Sequence, residues 1–307
     1  MEFNRAMTTE NEIAVATTNP ALIKLSTVEN EVLVTDMNYG FHYHRVRKPD
    51  SVLSDYFALS YKENNQETWS VCRNLLSKVF TVAKTEQVIA QIQENLGGNI
   101  QNEQHYRSDA SVRSSFTLSG FQISVDEEPD IDLVLFKLIT NITADISVLS
   151  SSNLTFNIVN GFAGNHALQL AFGLLKTTRS NIGSEEKVLP MNNIFILDRF
   201  TKRLIHDGRM AISIEDVVNV QQQIASQITL FKRLQMTQTL ADRICEKIPK
   251  KFAKKFIGLY ENIPENLKNF YYISYVLGVL LDSERNITLE IKLRDIIKKM
   301  VADLESV

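Results

Sequence analysis

The chain has 307 residues, of which 44% are hydrophobic and 22% are charged, and its formal net charge at pH 7 is −3. This apolar share is typical of globular proteins and excludes a chain that is disordered throughout. The negative net charge argues against duplex binding driven by bulk charge, but it is compatible with a local basic groove. No apolar run approaches the ~20 residues that span a bilayer, and the polar start does not resemble a secretory signal. We therefore expect a cytoplasmic protein.

Three regions follow from the texture of the sequence. Residues 1–30 are polar and irregular, which predicts a flexible N-terminal arm. Residues 31–212 mix strand and helix patterns and predict an α+β body with antiparallel hairpins. Residues 213–307 show helical periodicity and predict a helical C-terminal module. The expected fold class is therefore α+β.

The first strands are expected at 32–34 and 38–48, and the second is the most informative segment of the chain. Alternate side chains of a strand share a face. One face would carry Tyr39, Phe41, Tyr43, Arg45 and Arg47, and the other Gly40, His42, His44, Val46 and Lys48. Rings beside guanidinium groups offer stacking surfaces for bases and positive charge for phosphates. Because these residues are also ordinary in strands, the alternative is an edge strand with two buried rings and solvated charges.

Helices are predicted over 69–83 and 85–96. Leu75, Leu76, Val79 and Phe80 suggest the apolar side of the first, and the Gly97-Gly98 pair ends the second. The polar segment 99–109 predicts a loop, and the alternation over 115–125 predicts a strand. A turn at 126–130 then leads into a helix predicted over 131–146.

A long hairpin is predicted from strands at 154–159 and 167–178, with Phe162 in its turn. We expect Phe162 to be an exposed aromatic candidate for base contact, or alternatively a local packing residue of the hairpin. A further strand is expected over 192–200.

The last third contains five segments of helical periodicity, over 214–234, 237–248, 250–261, 265–281 and 289–304. The third carries a lysine ridge, defined as Lys250, Lys251, Lys254 and Lys255. Phe252, Phe256 and Tyr260 recur on another side and should face the core. Lysines on phosphates would supply affinity without base selection; the alternative is an ordinary solvated helix face.

Signatures of common enzymes are missing from the sequence. There is no phosphate-binding loop, no dinucleotide fingerprint, no zinc-protease helix motif and no nucleophile elbow. His42 and His44 would share a strand face at a spacing that can ligate metal, but no third ligand is near in sequence. Cys72 and Cys245 give no metal or disulfide framework. We therefore expect no enzyme, metal or cofactor; a scattered active site and a protein–protein scaffold are the alternatives.

Two resemblances to known families add to these residue patterns. Segments 156–161, 165–174 and 178–183, within a region of likeness over about 115–235, resemble a phage-and-plasmid family of unknown function. The overall plan is similar to the Drc-type proteins of podophages that encode their own RNA polymerases. The common points are size, a pI near 6.0, an aromatic–basic strand, a mixed body and a helical last third.

The second resemblance implies a binding protein for single-stranded DNA that acts in phage transcription or replication. It would bring a phage-encoded RNA polymerase to opened promoters in the host cytoplasm. With the residue patterns, this predicts base stacking on Tyr39, Phe41 and Tyr43. Phosphates would be neutralised by Arg45, Arg47, Lys48 and the lysine ridge. The expected partners are single-stranded DNA and the polymerase, and self-association into a homo-oligomer is left open.

Overall fold

The computed structural model describes most of the chain between residues 22 and 306. The described ranges are 22–48, 53–63, 65–123, 125, 128–164, 168–182, 185–193, 199–200, 205–206, 209–210 and 212–306. Residues 1–21 of the predicted arm lie outside them. So do parts of two predicted turns, at 126–127 and 165–167, and residues 194–198 of the last predicted strand.

The described elements confirm an α+β fold. The strands are β1 (Leu22–Lys24), β2 (Glu31–Asp36), β3 (Tyr39–Arg47), β4 (Leu53–Glu63), β5 (Ser70–Ser77), β6 (Thr81–Ala83), β7 (Ile100–Ser108), β8 (Ser111–Gln122), β9 (Leu149–Gly161), β10 (Gln169–Ile182), β11 (Glu185–Asn193), β12 (Arg199–Phe200), β13 (Ile205–His206) and β14 (Arg209–Met210). The helices are α1 (Thr85–Leu96), α2 (Pro129–Thr140), α3 (Ile214–Arg233), α4 (Gln238–Cys245), α5 (Lys250–Tyr260), α6 (Phe270–Glu284) and α7 (Ile287–Glu305).

The large sheet is antiparallel, with strand order β11-β10-β9-β8-β7, and β12 also pairs with β10. The predicted hairpin is confirmed as β9–β10, in which Phe156 is the partner of Phe172. Phe116 of β8 is the partner of Phe156 on the other side. The rings lie 5.4 Å and 5.0 Å apart between centroids, so one row of phenylalanines ties three strands together.

The small sheet is antiparallel with the order β2-β3-β4-β5. Next to it, β1 pairs with β6, and the side chains of Ile23 and Leu25 are buried. The end of the predicted N-terminal arm is therefore packed into the body. Backbone pairing and two apolar anchors hold it there.

The five helices predicted in the last third are confirmed as α3 to α7, and a short 3-10 turn (Glu265–Leu267) precedes α6. α6 is the most buried of them and packs against β11. Gly278 makes this close approach possible, since a Cβ there would lie 1.8 Å from the carbonyl oxygen of Asn192. α3 and α5 pack on α6, α4 on α5, and α7 against β7 and β8.

A buried ionic network joins the large sheet to α6 and α7. Nε of Arg113 lies 2.9 Å from Oε2 of Glu290, and its Nη1 lies 3.9 Å from Oδ1 of Asp282. The Tyr106 hydroxyl donates to Glu290 Oε2 at 3.1 Å, and Arg294 forms a further ion pair with Glu290. Apolar side chains from both sides of the predicted boundary at 212/213 belong to one continuous core.

The segment 69–83 is not a helix, as its apolar spacing suggested, but contains β5 and β6. Leu76 is buried and lies opposite Phe57 of β4, whereas Leu75 and Val79 are 56% and 79% exposed. The side chains that suggested one helix face therefore do not share a face. Pairing with β4 outweighs the local spacing.

Two other predicted elements differ from the structure. The segment 99–109 is not a loop; it holds β7, whose polar composition fits its place at the edge of the large sheet, where most of its first half is exposed. The helix predicted over 131–146 ends at Thr140, because Asn141 takes a left-handed conformation with φ of 56°. The predicted end of α1 is confirmed at Gly97, with φ of 70°.

Candidate nucleic-acid interface

The face of β3 expected to stack on bases is directed into the core. Phe41 and Tyr43 are fully buried. The Phe41 ring stacks on Phe162 at 3.7 Å between centroids, and the Tyr43 hydroxyl donates to the Phe162 carbonyl oxygen at 3.0 Å. The prediction that Phe41 and Tyr43 stack on bases is therefore wrong for this fold. Phe162 is also buried rather than exposed, because the turn after β9 packs against the small sheet.

The basic end of β3 is partly engaged within the protein. The guanidinium carbon of Arg45 lies 5.7 Å from the Phe57 ring centroid, and its Nε donates to the Ser54 carbonyl oxygen at 2.9 Å. Its Nη1 donates to the Glu29 carbonyl oxygen at 3.1 Å. Arg47 and Lys48 are exposed, beyond a register shift between β3 and β4. Arg45 is thus a half-buried structural cation, whereas Arg47 and Lys48 face solvent.

The opposite side of the small sheet is open to solvent over much of its area, and we call it the outer face. It is defined by the residues that the ladders place opposite to the face of Phe41 and Tyr43: Glu31, Leu33, Thr35, Gly40, His42, His44, Tyr56, Ala58, Ser60, Lys62, Val71 and Leu75. Trp69, just before β5, covers its Gly40 end. Five of the twelve exposed large apolar side chains in the described residues lie here: Leu33, Tyr56, Trp69, Val71 and Leu75.

Trp69 is the centre of an aromatic–cation cluster on this face. Its ring lies over Gly40, where a Cβ would be 3.4 Å from Cη2. The Lys62 ammonium is 4.8 Å from the indole centroid, and the His42 ring is 5.7 Å away. Because Gly40 has no side chain, the edge of the indole can approach the strand there, and Trp69 remains 37% exposed.

The two histidines of β3 neighbour this cluster. Nε2 of His42 lies 2.9 Å from Oε2 of Glu31, and the His42 and His44 rings are 5.5 Å apart. Burial lowers the pKa of His44, the charge of His42 lowers it further, and Glu31 opposes both. His44 is therefore mainly neutral at pH 7. Within the described ranges, no group of three or more histidine, cysteine or carboxylate side chains could hold a metal ion.

The lysine ridge lies where the periodicity predicted. Phe252, Phe256 and Tyr260 of α5 are buried, and Lys250, Lys251 and Lys254 are exposed. Lys255 forms an ion pair with Glu284 of α6. The hydrogen bond from Lys255 to Glu284 lowers the pKa of Glu284, and the charge of Lys251 lowers it further. α5 packs on α4 and α6, whereas β3 lies between β2 and β4, so the predicted lysines and rings belong to different parts of the fold.

The remaining predicted ring, Tyr39, is half-buried at the start of β3 and lies beside Arg107 and Tyr61. The sequence interpretation missed Trp69, Tyr56 and Lys62. Assigning 69–83 to a helix removed the strand alternation of Trp69, Val71, Arg73 and Leu75. That alternation, beginning at the single tryptophan of the chain, is the signal that could have located the outer face.

Comparisons with protein-family models, with curated proteins and with solved structures gave no match to this chain. Of the helices that the structure describes, none has the length and apolar character that a bilayer crossing requires.

Proposed function

We propose that this protein binds single-stranded DNA through the outer face of the small sheet. The main observation behind this proposal is the Trp69 cluster, an exposed indole flanked by the Lys62 ammonium and the His42 ring on a sheet face open to solvent. A four-stranded sheet with accessible rings is a common platform for unpaired bases, because each base offers a flat face for stacking.

The outer face is long enough for a short segment of single-stranded DNA to lie along β4. Tyr56 is 51% exposed and shares this face with Lys62. The six residue steps from Tyr56 to Lys62 in β4 span about 20 Å, which corresponds to a few nucleotides. A base on Trp69 and another towards Tyr56 would therefore fit one continuous strand.

Local cations supply the electrostatic part of the proposal. Lys62 lies on the outer face, Arg73 is exposed on β5, and Arg47 and Lys48 are exposed at the end of β3. Three to six phosphate contacts would give a salt slope of about −2 to −4, at roughly −0.7 per contact. The lysine ridge is a second place for phosphates if a longer strand reaches it. Recruitment of a phage RNA polymerase stays a prediction of the family resemblance.

The test is a fluorescence-anisotropy titration of single- and double-stranded oligonucleotides with wild type, Trp69→Ala and Tyr56→Ala. Single strands should bind several-fold tighter than duplex, because a duplex hides its base faces. Each ring truncation should weaken binding by about 1–3 kcal/mol, or roughly 5- to 150-fold.

Leu149→Ala is the matched control, since Leu149 is 70% exposed on the large sheet, and all variants are checked by thermal melting. Equal affinity for single strands and duplex, or wild-type affinity in both ring variants, would reject the proposal. If the ring variants instead change only self-association, the outer face is a protein–protein scaffold.

A further inference from the structure

Within the outer face, β4 presents small side chains where the neighbouring strands present large ones. Ala58 and Ser60 of β4 lie on this face between Tyr56 and Lys62. Their ladder partners on β3 and β5 are larger: His44 and Leu75 for Ala58, and His42 and Val71 for Ser60. Neighbouring strands are about 4.8 Å apart, so the face is lower along β4 than along the strands on either side. This depression follows the path proposed for the DNA strand.

The two sides of the depression differ in chemistry. On the β5 side, the apolar and aromatic side chains of Trp69, Val71 and Leu75 are exposed. The opposite side carries Glu31 of β2 and His42 of β3, whose side chains are 35% and 33% exposed. Nε2 of His42 lies 2.9 Å from Oε2 of Glu31, and the imidazole donates because an ionised carboxylate can only accept. A carboxylate has about four lone-pair sites, so this hydrogen bond leaves Glu31 able to accept another.

His42 connects the aromatic side of the depression to this carboxylate. Its ring centroid lies 5.7 Å from that of Trp69, and the two rings are inclined by 57°. The same imidazole donates to Glu31, so one side chain separates an exposed stacking surface from a hydrogen-bond acceptor. A nucleic-acid base has a flat face for stacking and hydrogen-bonding groups on its edge. A single base can therefore meet both features at once.

We propose that Glu31 makes the outer face prefer bases that carry an exocyclic amino group, so that cytosine is bound more tightly than uracil or thymine. The inference rests on the proposed function and extends it to the choice of base. A base stacked on Trp69 would direct its edge across β4, where its amino group donates to the Glu31 carboxylate. Uracil and thymine carry a carbonyl oxygen at the same ring position, and this oxygen would face the lone pairs of the carboxylate. His42 positions the carboxylate for this contact.

The test compares oligodeoxycytidine with oligodeoxyuridine, each of about 12 nucleotides, within the usual range of single-strand site sizes. The two bases have rings of the same size, so the comparison reports on the base edge rather than on stacking area. In fluorescence anisotropy at pH 7 and one salt concentration, wild type should bind the cytidine strand about tenfold tighter. Glu31→Gln should bind the two strands within about twofold of each other, because an amide offers both a donor and an acceptor.

Glu246→Gln is the matched control, because Glu246 is an exposed carboxylate at the end of α4, and it should keep the wild-type preference. If Glu31 only repels phosphates, Glu31→Gln will raise both affinities by the same factor and leave the preference unchanged, which overturns the inference. Equal affinity of wild type for the two strands also overturns it and leaves the proposed function standing. If wild type binds neither strand, the proposed function fails and the base preference fails with it.

Discussion

At the scale of single residues, the side chains of β3 divide between the core and the outer face according to their apolar area. Alternate side chains of the strand share a face, and only one of the two faces meets the core. Phe41 and Tyr43 are buried, and His42 and His44 lie on the outer face. Large rings remove about 150–250 Å² each from water on burial, so the fold gains more by burying them than by burying imidazoles. The pattern that suggested stacking is therefore a core pattern.

Phe41→Ala should destabilise the protein by about 3–5 kcal/mol, because it removes a buried ring that stacks on Phe162 and leaves a cavity. The DNA affinity of the folded fraction should remain that of wild type. Urea unfolding and anisotropy on the same samples measure both quantities. Val79→Ala, at a 79% exposed side chain, is the control. An unchanged unfolding free energy with lost DNA binding would return Phe41 to the binding site.

At the scale of elements, local periodicity predicted helices well where one apolar stripe faces the core. α5 is an example, because Phe252, Phe256 and Tyr260 repeat at helical spacing and are all buried. β5 and β7 could not be predicted in this way. β5 is largely exposed and β7 is a polar edge strand, so both are strands because of their partners. The partners, β4 and β8, are set by tertiary pairing rather than by local sequence.

Gly278→Ala should destabilise the packing of α6 on β11. A Cβ would lie 1.8 Å from the Asn192 carbonyl oxygen, and backbone would have to move. Overpacking of this kind costs typically 1–3 kcal/mol or more, beyond the gain of up to about 1 kcal/mol from higher helix propensity. Gly258→Ala is the matched control: nothing lies within 4 Å of its Cβ position in α5, so the propensity gain should appear alone. Thermal and urea unfolding measure both, and a Gly278→Ala protein as stable as wild type would contradict the packing.

At the scale of the whole molecule, the α+β class and the helical last third were predictable because each depends on local patterns. The predicted boundary at 212/213 falls at the start of α3, where Ser213 caps the helix. The joining of the two regions was not predictable. Arg113 and Glu290 are 177 positions apart in the sequence and form a buried ion pair. Nothing in the local sequence around either residue indicates its partner.

Glu290→Gln should show how much the buried ionic network around Glu290 stabilises the protein, because the effect of the substitution on the free energy of unfolding should depend on pH. Burial alone would raise the pKa of Glu290, but the charges of Arg113 and Arg294 and the donated hydrogen bonds lower it below 4.5 overall. A carboxylate whose pKa is lower in the folded state than in the unfolded state stabilises the protein fully at pH values above its unfolded-state pKa. This stabilisation is lost as pH falls through its folded-state pKa.

The variant leaves Arg113 and Arg294 buried opposite a neutral side chain, so at pH 7 it should be less stable than wild type by about 3–5 kcal/mol. The difference should narrow as pH falls below about 4.5, because wild type then loses the same charge. Urea unfolding of both proteins between pH 7 and pH 3 measures this. Glu261→Gln, at an exposed position after α5, should stay within about 0.5 kcal/mol of wild type. A gap that stays constant across this range would mean that Glu290 joins α7 to the large sheet by shape and hydrogen bonding rather than by its charge.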